Sequence, residues 1–169
     1  MIKDGMTIKD KMTLQMGKNY CDSLKLSGKI VLELFDENGN LKDRREDTNT
    51  VTTLALNMVA DQFDDTPSIA LPGWMELGTG TGQLVDDSIL DAYIAGSRTA
   101  IDSATTTGAA VAYICTFGAG TGTGPITEAG LFNVVTQNTT DLILYDDFAV
   151  INKGAADSLV ITWTLTFAV

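Results

Sequence analysis

From residue 158 to its last residue the chain alternates without a break. Leu159, Ile161, Trp163, Leu165 and Phe167 fall on one face of an extended strand, and Val160, Thr162, Thr164 and Thr166 fall on the other. A period of two held over that length excludes a helix and predicts a strand with one face in a core. The same period recurs upstream. Ile30, Leu32 and Leu34 alternate with Val31, Glu33 and Phe35, while Val111, Tyr113, Cys115 and Phe117 share a face opposite small residues such as Ala110, Ala112 and Thr116. Residues 74–77, 125–132 and 142–151 supply further strands, separated by loops rich in Gly, Asn and Thr. Asn38-Gly39 turns the first strand into a charged return strand over 41–46, because both residues tolerate the positive φ of a tight hairpin.

Helical spacing is confined to short stretches. With Asn49 or Thr50 as its cap, a helix carries Val51, Leu54, Ala55, Met58, Val59 and Phe63 as one apolar stripe and stops at Asp64-Asp65-Thr66-Pro67. Such a stripe needs a surface, so this helix is expected to lie across one side of a sheet. A second, shorter helix is expected over 86–95. Strands without a βαβ rhythm predict a mainly β fold: an antiparallel β-sandwich of jelly-roll or Ig-like type over residues 26–169, with one or two short helices. Residues 1–25 form an extended N-terminal arm in which Met6, Ile8, Met12, Leu14 and Met16 recur roughly every second residue, so that one side of it suits packing on something else. A disordered terminus is the alternative for the same residues.

Charge and composition narrow the function. Asp and Glu number 22 against 11 Lys and Arg, a net charge of -11, so the overall field repels nucleic acid and anionic lipid headgroups. His is absent, which removes histidine bases, the usual nucleophilic triads and almost every catalytic zinc site. No apolar run approaches the roughly 18 residues of a membrane span. The stretch 1–6 lacks the apolar region of a secretory leader, and Cys21 and Cys115 are expected to stay reduced in a cytosol, with a single disulfide as the alternative.

The motifs that resemble chemistry fail on spacing. Gly78-Thr79-Gly80-Thr81-Gly82 suggests a dinucleotide loop, but the third glycine of G-x-G-x-x-G would fall at Gln83, and at Thr123 in the second Gly-rich run, 118–124. Gly17-Lys18 and Gly28-Lys29 lack the rest of a phosphate loop. Asp36-Glu37-Asn38-Gly39-Asn40 is rich in oxygen ligands, yet an EF-hand needs its glycine where Leu41 stands, and a polar hairpin turn accounts for the same residues. Of the acid pairs Asp64-Asp65, Asp86-Asp87 and Asp146-Asp147, the last lies within a strand, where neighbours face opposite ways and cannot share one cleft. Asn138-Thr139-Thr140 matches a glycosylation sequon and reads as a turn. The run Asp43-Arg44-Arg45-Glu46-Asp47 suits a sheet edge, where charge discourages unwanted pairing, and setting register with a neighbouring subunit is an equal alternative. Trp74, Trp163, Phe132 and Phe148 read as core aromatics. No catalytic residue, metal ligand or cofactor is expected.

The order of the pieces carries more than any one of them. The hairpin 28–35 with Asn38-Gly39, a helix, then Glu76-Leu77-Gly78-Thr79-Gly80-Thr81-Gly82, then Ile126-Thr127-Glu128-Ala129-Gly130-Leu131-Phe132-Asn133, Phe148-Ala149-Val150 and Asp157-Ser158-Leu159-Val160-Ile161-Thr162-Trp163 resembles virion structural proteins of tailed bacteriophages, over residues 29–169. Within them the chain looks most like capsid decoration, or cement, proteins. That resemblance implies a non-enzymatic protein that binds the major capsid protein and its own copies, as a homotrimer, on the outside of the virion after synthesis in the host cytoplasm. It implies no active site. Ile8, Met12, Leu14 and Met16 are the expected interface residues. A tail, collar, baseplate or fibre component is the alternative, contacting its partner through the loops 78–82 and 118–124, and a small hydrolase using paired carboxylates is a third class.

Overall fold

The computed structural model describes residues 24–168. The fold is mainly β, with nine antiparallel strands and one short helix among the described residues. β1 (Lys25–Phe35) and β2 (Leu41–Val51) form the expected hairpin. Its turn is self-contained: the Asp36 carboxylate accepts the backbone N–H groups of Asn38 at 2.9 Å and Asn40 at 2.8 Å, and Gly39 takes a φ of +81°. Asp36 is therefore engaged in the turn itself.

β2 runs further than its charges suggest and reaches Val51, so Asn49 and Thr50 are strand residues and not helix caps. The cap is Thr52, whose side chain accepts the Ala55 N–H and donates to the carbonyls of Leu142 and Ile143. α1 (Thr53–Asp61) buries Ala55 and Met58 against the sheet, beside β8 (Leu142–Lys153), as its stripe requires. Phe63 lies beyond the helix end and is 85% exposed.

The remaining strands are β3 (Trp74–Gly78), β4 (Thr99–Ala100), β5 (Ser103–Thr107), β6 (Ala110–Phe117), β7 (Gly124–Phe132) and β9 (Ser158–Ala168), in the sheet order β4-β3-β7-β8-β2-β1-β9-β6-β5. Two features bend this sheet. β2 meets β8 through only Thr50↔Tyr145 and Val51↔Leu144, after which the two strands part. β4 pairs with β3 at one end of the order, while β5, two residues further along the chain, pairs with β6 at the other. Residues 99–107 thus join the two ends of the order, and the sheet is curled.

The concave side holds the core. Ile30 and Leu32 of β1, Leu77 of β3, Cys115 and Phe117 of β6, Ile126 and Leu131 of β7, and Ile161 and Trp163 of β9 are fully buried there. A smaller apolar cluster of Leu90, Phe132, Leu142 and Tyr145 lies apart, with Trp74 packed against it. The second helix does not form. Residues 86–95 follow an irregular path, because the amides of Asp91 and Ala92 are taken by the Glu128 carboxylate and that of Ile94 by the Leu77 carbonyl. Each is a donor that a helix would have paired with its own carbonyls.

Candidate interaction surfaces

Glu128 is completely buried, on β7 between Gly78 of β3 and Asp147 of β8. Its carboxylate accepts the backbone N–H groups of Gly80 (2.8 Å), Ala92 (2.8 Å) and Asp91 (3.2 Å) and the side-chain amide of Gln83 (2.8 Å). Asp147 accepts the N–H of Gly82 at 3.0 Å, and the Tyr145 hydroxyl donates to the Gln83 carbonyl. Glycine is required where this loop presses on the carboxylate, since a Cβ at Gly78 or Gly80 would collide with Glu128. The amides that a phosphate would need are thus occupied by the protein's own carboxylates. The loop is a structural latch.

A second buried network ties the same region together. The Arg98 side chain is 3% exposed, donates to Glu76 Oε2 at 2.7 and 3.1 Å, to Asp141 Oδ2 at 3.0 Å and to the Val134 carbonyl at 2.6 Å, and stacks 3.6 Å from the Phe132 ring centroid. Gln137 donates to Glu76 from the other side. Burial pushes the Glu76 carboxyl above its ordinary value, with the Arg98 guanidinium opposing that shift.

The other Gly-rich run, 118–124, is held by a cation. Lys153 Nζ donates to the carbonyls of Gly118 at 2.8 Å and Asp157 at 2.7 Å, and burial pulls its pKa down against the opposing charge of Asp157. Gly122 sits against the Leu77 side chain, and Thr127 Oγ1 donates to the Gly80 carbonyl, so both Gly-rich runs lie at the same end of the β3/β7 pair.

Asp146 and Asp147 face opposite ways, as strand neighbours must. Asp147 is exposed. Asp146 is buried where β2 and β8 part, and among the described residues its Oδ2 has no hydrogen-bond partner. Burial, then the charges of Asp47 and Asp147, push this carboxyl up to about 8. Among the described residues no cluster of three or more His, Cys, Asp or Glu is placed to hold a metal. Cys115 is a buried thiol whose pKa burial pushes up to about 12, so it has none of the thiolate character of a reactive cysteine.

The stretch of β2 beyond its short pairing with β8 and the terminal strand β5 differ in chemistry. β2 carries the charged run, whose side chains pair across the hairpin with β1 (Lys29–Glu46 and Arg44–Glu33) and within β2 (Arg45–Asp43), with Arg45 also donating across the fork to the Ala149 carbonyl. These are exposed or partly exposed pairs whose role is to deter pairing more than to stabilise. β5 carries no charge: all five residues of Ser-Ala-Thr-Thr-Thr are exposed, and among the described residues β6 is its only strand partner.

Next to β5 an apolar groove of about 420 Å³ opens between the end of α1 and the sheet, lined by Met58, Phe63, Leu71, Val111, Leu165 and Phe167. Phe63 and Leu71 are exposed at its mouth. The sequence reading missed this groove because it placed Phe63 in the buried helical stripe; Leu71-Pro72, an apolar pair in a loop, was the available signal. It also missed β5, although a Thr-rich run ending in Gly108, with φ +58° in a two-residue turn, has the composition of a hairpin strand. Ile8, Met12, Leu14, Met16 and Cys21 lie outside the described residues.

No protein-family model, curated protein or solved structure matches the chain.

Proposed function

We propose that the protein is a capsid decoration protein of a tailed bacteriophage: a non-enzymatic subunit, trimeric on the shell, that binds the major capsid protein and stabilises the head. The order of motifs from the hairpin through Glu76-Leu77-Gly78 to the terminal strand supports the family, and on this reading the curled sheet is a variant of a jelly-roll or Ig-like sandwich. The observation that carries the proposal is the β5 edge. An exposed, uncharged, β-branched edge strand is a template for strand addition by a partner, and proteins that must avoid such pairing place charges there, as β2 does. A body of strongly negative charge keeps an exposed coat subunit soluble. Holding by many weak contacts on one shell makes the loss of a subunit slow even where each contact is modest.

The test is binding to purified phage shells assembled without the protein, followed by sedimentation and by the temperature at which the shells break. The unmodified chain is expected to saturate the shells and raise that temperature. A variant with Thr105→Lys and Thr107→Lys places two charges on the exposed edge and is expected to bind roughly tenfold more weakly with its own Tm nearly unchanged. Binding unaffected by the double substitution would remove β5 from the interface, and failure of the unmodified chain to bind would overturn the proposal.

A further inference from the structure

We infer that the groove between α1 and the sheet receives the chain's own N-terminal segment, with Met12, Leu14 and Met16 laid across it. Three independent observations converge on that occupant. First, the described chain begins beside the groove: Leu26 pairs with Phe167 in register, and Phe167 forms part of the lining. Cross-strand partners share a face, so Leu26 lies on the groove's side of β1, and Leu24 directly precedes that strand. Leu24 is 54% exposed, an apolar side chain at the point where the segment enters.

Second, the reach matches. From β1 across β9 and β6 to β5 is three strand spacings, about 14 Å. The five residues 12–16, extended at about 3.4 Å each, span a similar distance and present Met12, Leu14 and Met16 on one side. Residues 17–23 leave seven positions for the reversal, among them Gly17 and Asn19, which suit a turn. Flexible methionine side chains adapt to an irregular apolar surface.

Third, the charges are complementary. Of the chain's 11 Lys and Arg, four lie in residues 1–23, and of its 22 Asp and Glu, three do, so this segment is net positive by one while the remainder is negative by twelve. Asp61, Asp64 and Asp65 lie within two residues of Phe63 in sequence, and Phe63 lines the groove, so acidic residues lie near in sequence for Lys9, Lys11 and Lys18 of the segment. Tethering favours the chain's own segment over another copy's, because the linker of seven residues holds it at a high effective concentration. The inference does not depend on the phage reading.

The test uses the full-length chain with a photo-activatable benzoylphenylalanine in place of Leu14, irradiated as an equal mixture of ordinary and 15N-labelled protein and mapped by mass spectrometry. The expected cross-links run to peptides containing Phe63, Leu71 or Val111 and join only like-labelled segments. Phe63→Ser, a neutral change at an exposed position that leaves the fold intact, is expected to cut their yield about fivefold, the effect of losing one apolar contact of roughly 1 kcal/mol. Cross-links joining light to heavy chains would overturn the assignment to the chain's own segment and give the groove to a second copy. Cross-links elsewhere on the body, or none, would overturn the groove as the docking site.

Discussion

Replacing Arg98 by methionine is expected to cost about 3–5 kcal/mol of folding stability, because it removes the one guanidinium that compensates two buried carboxylates while leaving both in place. Glu76 is 1% exposed and Asp141 is 4% exposed, so neither can recover its lost partner from water. Methionine fills much of the same volume, and the loss is therefore electrostatic more than a matter of packing. Chemical unfolding followed by circular dichroism measures it. Burial already holds the Glu76 carboxyl up and Arg98 opposes that, so without Arg98 it titrates higher still. A folded-state pKa above the unfolded one costs stability above the unfolded value, so the deficit of the variant is expected to shrink as pH falls through the raised folded value toward the unfolded value of 4.5. Adding Glu76→Gln and Asp141→Asn is expected to restore much of the loss. A deficit under about 1 kcal/mol, or one that does not vary with pH, would mean the network is solvated and not buried.

Asp146→Asn is expected to act in the opposite direction. In the folded protein this carboxyl titrates at about 8, against 3.8 in an unfolded chain, so between those values the folded state holds a proton that the unfolded state has released. Stability then falls as pH rises through that window, the penalty being absent below 3.8 and complete above 8. Asparagine carries no such penalty. The variant and parent are expected to converge near pH 4 and to separate by on the order of 2–4 kcal/mol at pH 8, a Tm increase of roughly 5–10 °C for a chain of this size. Parallel melting curves across the pH range would contradict a buried, unpartnered Asp146. The charges that raise it further are Asp47 on β2 and its strand neighbour Asp147, which points the other way, and Asp47→Asn alone is expected to produce a smaller shift of the same sign.

The strands with strict alternation were legible because a period of two admits one placement when one face is buried. β1, β6 and β9 lie within a few residues of their expected bounds, and Asn38-Gly39 turns the hairpin as its backbone preferences require. What sequence could not show is where acidic side chains go. A glutamate in a strand reads as a solvent-facing position, yet Glu128 is wholly buried because the segment from Gly80 to Ala92, which lies 36 to 48 residues earlier, folds over it and supplies three backbone amides. That same contact is why residues 86–95, which have helical spacing, are not a helix. For Asp146-Asp147 the opposite orientation was legible, but which of the two is buried depends on the fork between β2 and β8, a tertiary feature with no local signature. β4 and β5 escaped notice because short Thr-rich segments without large apolar residues resemble loops. The groove escaped with them, since it is made by five separate parts of the chain and none of its residues forms a motif.

The copy number of the protein in purified virions, measured by quantitative mass spectrometry against the major capsid protein, tests the functional account most directly. A cementing subunit that clamps the whole shell is predicted at a ratio of roughly one to one, as many-point attachment to a lattice requires. A handful of copies per particle would contradict it and point to a collar, baseplate, tail or fibre, and absence from the particle would contradict any structural role in the virion.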